Sequence, residues 1–540
     1  MLLGLPALAE DNTSLIFNTG TATNLGNLLI IGDTGTNNIL EISNGSTVFV
    51  RTSIVGNAAS ANFNSVLVTD PGSIWSNSSR DFYFGNTGSF NRLVITNGGK
   101  VIHNFGNGRA HIGFATNSNN NIVIVTGPGS EWSLVGDLRL GTGPSNQLII
   151  ADGGKVTLTE GAVIGQQAVG NPPLLGYNRV LVTDPGSVWN IGTVSASQLE
   201  VGGYSPNNQL IVSNGGRVNV SFVRYGLLGN TATTNAVVVT GSGSLLNVED
   251  QIQMIRRRQQ LYVQDDGIVR VGTNLLVQSG EGRFNNIVEV SGGHLFVTNA
   301  GGTATFNVVA GSNLLSSGTM TLDNFVATNG TLSVVLFHGG TINTKGSVFS
   351  NSTPFVVGNG ASLATLDLQG GNHSFADGLI VNTNATLQGT GTVSGNTTVR
   401  GTLAPGDSPG ILSLGNLTLL SNAIFAVELN GTNVGTEYDQ VIVNGFVSLS
   451  NSILDLTLGF APTNGDTFLI INNDASDPVL GEFAGLPNLG EFQSGGSEFK
   501  VLYAGGTGND VVLIAVPEPS ALTLLFAAAM LLLRRGNRHD

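Results

Sequence analysis

Short runs of apolar residues alternate with glycine-containing turns along most of this chain, and their order repeats. Four copies of the clearest segment read VLVTDPGSIW from Val66, VIVTGPGSEW from Val123, VLVTDPGSVW from Val180 and VVVTGSGSLL from Val237. The copies are 57 residues apart, as from 66 to 123, so one repeat position holds Trp75, Trp132, Trp189 and Leu246. Self-similarity of this kind is typical of repeat architectures, in which each unit packs against its neighbours.

A second, weaker copy lies within each unit, and one spacing unites the two copies: an Asn precedes a Gly by eight residues. The pairs are Asn37/Gly45, Asn64/Gly72, Asn91/Gly99, Asn121/Gly129, Asn146/Gly154, Asn178/Gly186, Asn208/Gly216, Asn235/Gly243 and Asn285/Gly293, with Gln259/Gly267 as a near match. Successive glycines of these pairs are 24 to 32 residues apart. One unit therefore has about 27 residues, and the 57-residue interval contains two units.

Each unit predicts strands rather than helices. Four apolar or β-branched residues follow the Asn and indicate a buried strand, and a glycine turn and a second short strand come next. A unit this small cannot bury its own apolar face, whereas stacked units can. We therefore predict an all-β, right-handed parallel β-helix whose Asn side chains stack into a ladder of amide hydrogen bonds. A propeller of kelch-like blades is the alternative, but the half-period near 27 disfavours it.

The repeated Trp residues and the segment boundaries complete this prediction. We expect the Trp side chains in the core or at its shoulder rather than on a ligand platform. The repeat β-helix is expected over 20–300, a second β-helix over 301–459 and a capping β region over 460–515, since a solenoid must protect its open end.

The first residues, 1–10, are short and apolar and end in Ala7-Leu8-Ala9 before acidic residues. Ala7 and Ala9 would be the third and the first residue before a cut after Ala9, and small residues at those two positions are typical of a signal-peptide cleavage site. We therefore interpret 1–10 as the remnant of a signal peptide. A frayed apolar N-terminus is the alternative.

The last segment, residues 516–540, reads VPEPSALTLLFAAAMLLLRRGNRHD. It predicts a short transmembrane helix over 520–533, about 20 Å long against a bilayer core of about 30 Å. The Arg residues that follow belong in the cytoplasm by the positive-inside rule. The two prolines keep the tripeptide around Glu518 extended, a form that a processing enzyme can bind. A retained membrane anchor is the alternative.

Composition narrows the possible partners. The chain has 540 residues, a formal charge of −14 and no cysteine. Nucleic acid is therefore not expected as a partner, because phosphate binding needs a basic face. The triplet Arg256-Arg257-Arg258 is interpreted as a loop or edge feature, since no aromatic or basic residues surround it.

Candidate chemistry is sparse, and we predict no enzyme activity, cofactor or metal site. Asp70 and Asp184 belong to turns, and the histidines lack the spacing of metal ligands. The segment GGTGNDVVL, 505–513, matches one copy of a calcium-binding nonapeptide, and whether Gly505 to Asp510 binds calcium stays open. The alternative is a β-helix polysaccharide lyase or glycosidase, which an acidic cluster in one groove would favour.

Two resemblances add an expected function. The order PEPS, hydrophobic helix and Arg cluster resembles the PEP-CTERM sorting signal of Gram-negative bacteria. The segment GTLAPGDSPGILSLGNLTL, 401–419, and the shorter repeats resemble the passenger domains of autotransporters. The first resemblance implies processing by an exosortase, with a sorting motif formed by Pro517, Glu518, Pro519, Arg534 and Arg535.

Together, the resemblances imply a membrane-anchored precursor that is exported to the cell surface or extracellular matrix. The expected role is structural or adhesive, in association with biofilm or exopolysaccharide.

Overall fold

Alternating burial along short strands defines the fold. The computed structural model describes residues 8, 10–166, 176–192, 197–226, 232–278, 285–407, 409–474 and 477–517. These residues form an all-β, right-handed solenoid of about 17 turns, and the helical element among them is a single 3-10 turn, Gly330–Leu332. The chain divides into two compact units, 1–336 with 340–342 and 337–339 with 343–540.

Most turns of the first unit carry three strands, and each strand pairs in parallel with its equivalents in the neighbouring turns. In sheet 1 the strands are Ser14–Phe17, Ile39–Ile42, Ser65–Thr69, Arg92–Thr96, Ile122–Thr126, Gln147–Ala151, Arg179–Thr183, Gln209–Ser213, Ala236–Thr240 and Gln260–Gln264. In sheet 2 they are Ala22–Asn24, Thr47–Val50, Ile74–Asn77, Lys155–Leu158, Val188–Ile191 and Ile268–Val271. In sheet 3 they are Leu28–Ile31, Thr52–Val55, Asp81–Phe84, Ala162–Ile164, Gln198–Val201, Asn274–Val277 and Thr305–Val308.

Longer strands join the sheets of one turn. Those that run from sheet 2 into sheet 3 are Lys100–Ile112, Glu131–Leu140, Arg217–Tyr225 and Leu245–Met254. The strand Ile287–Val297 joins sheets 1 and 2, and Gly311–Ala327 pairs with all three. The strands Ser333–Phe337 and Gly340–Phe349 contain the points at which the chain changes unit.

Within most strands of sheet 1, buried and half-buried residues alternate, whereas in Arg92–Thr96 the residues Leu93, Val94 and Ile95 are all buried. In Ile122–Thr126, Val123 and Val125 are fully buried, whereas Ile122 and Ile124 are half-buried on the outer side. The strand predicted at this position is present, and it is buried on one face. Successive side chains of a strand point to opposite faces, and only one face of the sheet meets the core.

The three Trp side chains are fully buried in one column of the core. Trp75 pairs with Val101, which pairs with Trp132, so a Val separates the Trp residues of alternate turns. Phe82 packs edge-on against Trp75 at 5.3 Å and Trp132 at 6.1 Å between ring centroids. The expectation of core packing is confirmed, and the double-length repeat follows from this large–small alternation.

The second unit has parallel strands followed by an antiparallel end. Its strands are Phe355–Val357, Ala364–Phe375, Leu379–Val381, Ala385–Val399, Thr402–Pro405, Ile411–Leu419, Ile424–Leu429, Gln440–Val443, Val447–Ser448, Ile453–Leu458, Thr467–Asn473, Glu491–Ser494, Ser497–Gly505 and Asp510–Val516. Pairing is parallel up to Gln440–Val443 with Thr467–Asn473. The strand Asp510–Val516 then pairs antiparallel with both Thr467–Asn473 and Ser497–Gly505.

No helix in the part of the chain that the structure describes is long and apolar enough to cross a membrane. The helix predicted over 520–533 lies outside the described residues.

Candidate binding surface at the amide-ladder corner

A loop at one corner of the first unit leads each turn from sheet 3 to sheet 1 of the next turn. It begins at a glycine such as Gly85 and ends at an Asn such as Asn91, immediately before the strand Arg92–Thr96. We call this edge of the solenoid the ladder corner. Its loops hold two rows of side chains, one turned into the protein and one turned outward.

The inward row is a ladder of buried amides. In six steps the backbone N–H and the Nδ2 of one Asn both donate to the Oδ1 of the Asn in the next turn, at 2.8–3.1 Å. The ladder residues are Asn38, Asn64, Asn91, Asn121, Asn146, Asn178, Asn208, Asn235, Gln259 and Asn286. An amide can propagate such a row because it both donates and accepts.

The predicted ladder is present, but two of its members were placed one residue too early. Asn37 and Asn285 satisfy the eight-residue spacing to glycine, yet both are exposed. Asn38 and Asn286 are the buried members. The spacing misleads at these two turns because the neighbouring residue is also an Asn, and only the register of the strands decides which amide is turned inward.

Glycine at the start of the corner loop makes room for the ladder. At Gly85 a Cβ would lie 2.4 Å from the Nδ2 of Asn121, and at Gly113 it would lie 2.2 Å from the Nδ2 of Asn146. Both glycines also have positive φ, 70° and 74°. A side chain at either position would collide with the amide and strain the backbone. The buried amide of the next turn therefore requires a glycine at the start of the corner loop.

One step of the ladder is broken, between Asn235 and Gln259. The longer Gln side chain turns its Nε2 to the carbonyl oxygens of Ala232 and Arg257. The Nδ2 of Asn235 and the Oε1 of Gln259 are both buried without a hydrogen-bond partner. One additional methylene therefore leaves an unpaired donor and an unpaired acceptor.

The outward row of the corner carries exposed aromatic side chains. Phe63, Phe90 and Tyr177 each directly precede a ladder Asn and are 56%, 48% and 61% exposed. Their backbones are left-handed, with φ of 58°, 58° and 60°, whereas Asn occupies the same position in other turns, as at Asn37 and Asn120. A bulky residue in this conformation costs about 1–2 kcal/mol of stability, so the backbone alone would favour Asn at these three positions.

Phe114 directly follows Gly113, the first residue of the corner loop in its turn, and completes this surface. In the three preceding turns the same position holds amide and acid groups, and Nδ2 of Asn57 donates to Asp33 at 2.6 Å and Nδ2 of Asn86 to Asn57 at 3.0 Å. Phe114 follows this row, is 41% exposed and lies edge-on against Tyr83 and His111, at 4.9 Å from each ring centroid.

His111 of this cluster stays neutral over the usual pH range. Its ring is nearly parallel to that of Tyr83 at 5.1 Å. Burial, and then Arg139 and Arg109, lower the pKa of His111 to about 3. His111 therefore adds no positive charge to the aromatic cluster, and the Asp81 carboxylate lies 3.9 Å from its Nε2.

The ladder corner concentrates exposed aromatic residues. Six aromatic side chains are exposed among the described residues of the first unit, and four of them lie at this corner: Phe63, Phe90, Phe114 and Tyr177. Apolar ring surfaces beside amide donors and acceptors suit a ligand with C–H faces and hydroxyl groups.

A separate acidic pocket of about 410 Å³ lies in the second unit. Its lining includes the exposed Asp407, the half-buried Glu428 and the buried Asp439. Asp439 accepts hydrogen bonds from the backbone N–H groups of Gly410 and Glu428, each at 2.8 Å. Burial raises the pKa of Asp439 to about 6, against the lowering effect of these two donors.

Two acidic residues that the sequence singled out accept hydrogen bonds from neighbouring segments. Asp70 joins turns, accepting from the backbone N–H of Asn44 at 3.0 Å and from Nδ2 of Asn97 at 2.8 Å. Asp510 clamps a hairpin, accepting from the backbone N–H of Thr507 at 2.7 Å and of Asn473 at 2.8 Å. No group of three His, Cys, Asp or Glu residues in the described ranges is placed to hold a metal ion.

Two further features were singled out by the sequence. Arg258, in the basic triplet, is an exposed corner residue with φ of 56°. Pro517 is exposed, whereas Glu518, Pro519, Arg534 and Arg535 lie outside the described residues.

No protein-family model matches the chain, and no curated protein is significantly similar to it in sequence.

Sequence reasoning missed the aromatic row of the corner and the acidic pocket. The aromatic row had a readable signal, since Phe63, Phe90 and Tyr177 each directly precede an Asn of the repeat. The pocket had none, because Asp407 and Asp439 are brought together only by the stacking of turns.

Proposed function

We propose that the protein is an exported cell-surface or extracellular-matrix component whose ladder corner binds polysaccharide. The role is structural or adhesive, and exopolysaccharide of a biofilm is the expected ligand. The observation that supports this role is the row of Phe63, Phe90, Phe114 and Tyr177, which are exposed and, in three cases, in a backbone conformation that disfavours them. Strain retained at an exposed position points to a function, since a less strained residue fits the same site.

The chemistry of the corner suits a sugar chain. Aromatic rings offer apolar surface to the C–H groups of a sugar ring, and the amides of Asn57 and Asn86 can bond to its hydroxyl groups. The repeat of the surface follows the spacing of the turns, about 4.8 Å, so a long polymer can contact several turns at once.

Polysaccharide binding by the purified chain tests this role. The variant Phe63→Asn/Phe90→Asn/Phe114→Asn/Tyr177→Asn replaces each ring with the residue found elsewhere in its row. We expect binding to exopolysaccharide, followed by co-sedimentation, to weaken about tenfold or more, because the loss of ring contacts exceeds about 1.4 kcal/mol. The control is Phe49→Ser, which removes an exposed ring from sheet 2 in a regular strand. Equal binding by all three proteins would contradict the proposed surface.

We further propose that an exosortase processes the chain at Pro517-Glu518-Pro519. The motif, the apolar run over 520–533 and the pair Arg534 and Arg535 support this proposal. Mass spectrometry of the protein from cell surfaces should find a C-terminus near residue 517. Surface protein that still carries Asp540 would contradict processing and would favour a retained anchor.

The acidic pocket supports a second candidate, a polysaccharide-processing enzyme. Hydrolysis or elimination needs acid and base groups at one site, and a carboxyl with a pKa of about 6 suits such a role. Turnover of pectin, alginate and exopolysaccharide by the purified chain tests it, with Glu428→Gln and Asp407→Asn as pocket variants. Activity that both variants abolish would replace the structural role. The position of Asp439, clamped by two backbone N–H groups, favours the structural role.

A further inference from the structure

The outer face of sheet 1 carries a continuous apolar stripe. The middle residue of each strand points outward, and the strand register aligns these residues over seven successive turns. The stripe consists of Leu67, Val94, Ile124, Ile149, Leu181, Ile211 and Val238, of which Val94 is buried and the other six are half-buried. Tyr262 follows Val238, and Glu41 and Glu289 stand in the turns beyond, so charge ends the apolar row on both sides.

The equivalent outward positions of the other sheets are mostly polar in the same turns, and Ile102 in sheet 2 and Val163 in sheet 3 are apolar exceptions that do not form a continuous row. In sheet 2 they hold Ser76, Ile102, Ser133, Thr157, Asn190, Asn219 and Asn247. In sheet 3 they include charged groups such as Arg139, Glu200 and Arg224. The apolar row is thus a property of one face, and a contiguous apolar patch on one face marks an interaction surface.

The two edges of this face carry opposite charge. Arg92 and Arg179 begin their strands on one edge, whereas Asp70, Asp152 and Asp184 follow strand ends on the other. Arg179 and Asp184 flank the same strand. A two-fold axis that lies between two copies, parallel to the solenoid axis, brings their sheet 1 faces together. It also places the basic edge of each copy over the acidic edge of the other.

We propose that two copies of this chain pair in parallel through the sheet 1 stripe. Such pairing sets each apolar residue against the same residue of the other copy, in matching register along the solenoid. The stripe is about 30 Å long and, with its two flanking columns, about 18 Å wide. Pairing then buries about 1,100 Å² in total, which is above the roughly 1,000 Å² that a biological interface needs and is the size of a weak interface. This proposal goes beyond the polysaccharide-binding role and involves a different face.

Cysteine substitutions test the pairing directly, because the natural chain has no cysteine. The variants Leu67→Cys, Ile149→Cys and Val238→Cys place one thiol near the start, middle and end of the stripe. Ser133→Cys is the control, since it faces outward from sheet 2. Packed sheets lie about 10 Å apart, so a bis-maleimide of about that length should link facing thiols.

We expect all three stripe variants of the full chain to give cross-linked dimers, about tenfold or more above the control, because pairing raises the local thiol concentration to the millimolar range. Linking of Ile149→Cys alone would indicate antiparallel copies and overturn the parallel arrangement. Linking of no stripe variant above the control would overturn pairing altogether.

Sedimentation of an uncross-linked variant provides a second measurement. Ile149→Glu should sediment as a single copy with unchanged circular dichroism, whereas Ser133→Glu should sediment as a pair like the wild type. A wild-type chain that sediments as a single copy would overturn the proposal.

Discussion

A buried amide of the first unit and a buried carboxylate of the second unit join turns in different ways. In the first unit the Oδ1 of Asn121 accepts two hydrogen bonds from Asn91, and the backbone N–H and the Nδ2 of Asn121 each donate one to Asn146. In the second unit the Asp439 carboxylate accepts two backbone N–H groups and donates none. An amide passes the pattern on to the next turn, whereas a carboxylate ends it. The amides do not titrate, so their hydrogen bonds do not depend on pH, whereas the Asp439 carboxyl titrates.

Conversion of a ladder amide into a carboxylate should have the largest effect. Asn121→Asp removes the Nδ2 donor. A carboxylate oxygen then faces the Oδ1 of Asn146, and both are buried acceptors. We expect a loss of about 4 kcal/mol in the free energy of unfolding at pH 7, and a smaller loss at low pH, where a protonated Asp can donate. The three Trp lie in this unit, so their fluorescence during urea unfolding reports on it.

An exposed amide of the same loop provides the control for this change. Asn117→Asp should alter the free energy of unfolding by less than about 0.5 kcal/mol. Equal losses for Asn121→Asp and Asn117→Asp would show that the ladder hydrogen bonds do not determine stability.

The carboxylate of the second unit should make its stability fall as pH rises. The pKa of Asp439 is raised from 3.8 to about 6, so the folded state binds this proton more tightly than the unfolded state. The stabilisation is complete below pH 3.8 and is lost as pH rises towards 6. We expect a change on the order of 1–2 kcal/mol after solvent screening is allowed for.

Hydrogen exchange of the segment 424–443 at pH 4 and pH 7 measures this dependence. Asp439→Asn should reduce the pH dependence, whereas Asp455→Asn, at an exposed site, should leave it unchanged. Identical pH profiles for the wild type and Asp439→Asn would contradict the assignment.

Repair of the broken ladder step should stabilise the first unit. Gln259→Asn shortens the side chain by one methylene and allows its Oδ1 to accept from the unpaired Nδ2 of Asn235. We expect a gain of about 1 kcal/mol in Trp-monitored urea unfolding. The reverse change in an intact step, Asn208→Gln, should cause a loss of similar size. A gain from both substitutions would show that side-chain length is not the cause.

An amide added outside the ladder should have the smallest effect. Tyr177→Asn replaces an exposed ring at φ of 60° with the residue that tolerates this backbone, so we expect a gain of about 0.5–1 kcal/mol. Phe63→Asn should be nearly neutral, because it also removes the stack with Phe90 at 5.1 Å. Trp-monitored urea unfolding distinguishes the two variants. A clear loss in the free energy of unfolding for Tyr177→Asn would show that the left-handed backbone does not strain Tyr177.

Periodic features of this fold were predictable because each turn repeats the same physical problem. The buried Trp column, the parallel strands and the inward amides were all expected from spacing alone. Features that depend on register were not, as the exposed Asn37 and Asn285 show. The outward stripe from Leu67 to Val238 was missed for the same reason, since an apolar run does not reveal which of its residues face the core.

The sequence by itself determined that this chain stacks short β units around an apolar core, because no single unit can bury its own apolar residues. It also determined where glycine and Asn recur, since the corner needs a residue without a Cβ beside a buried amide. Only the tertiary structure decided which side of each strand meets solvent and which distant residues share a face. Those properties arise from the alignment of one turn with the next, and residues about 27 positions apart become neighbours only when the turns stack.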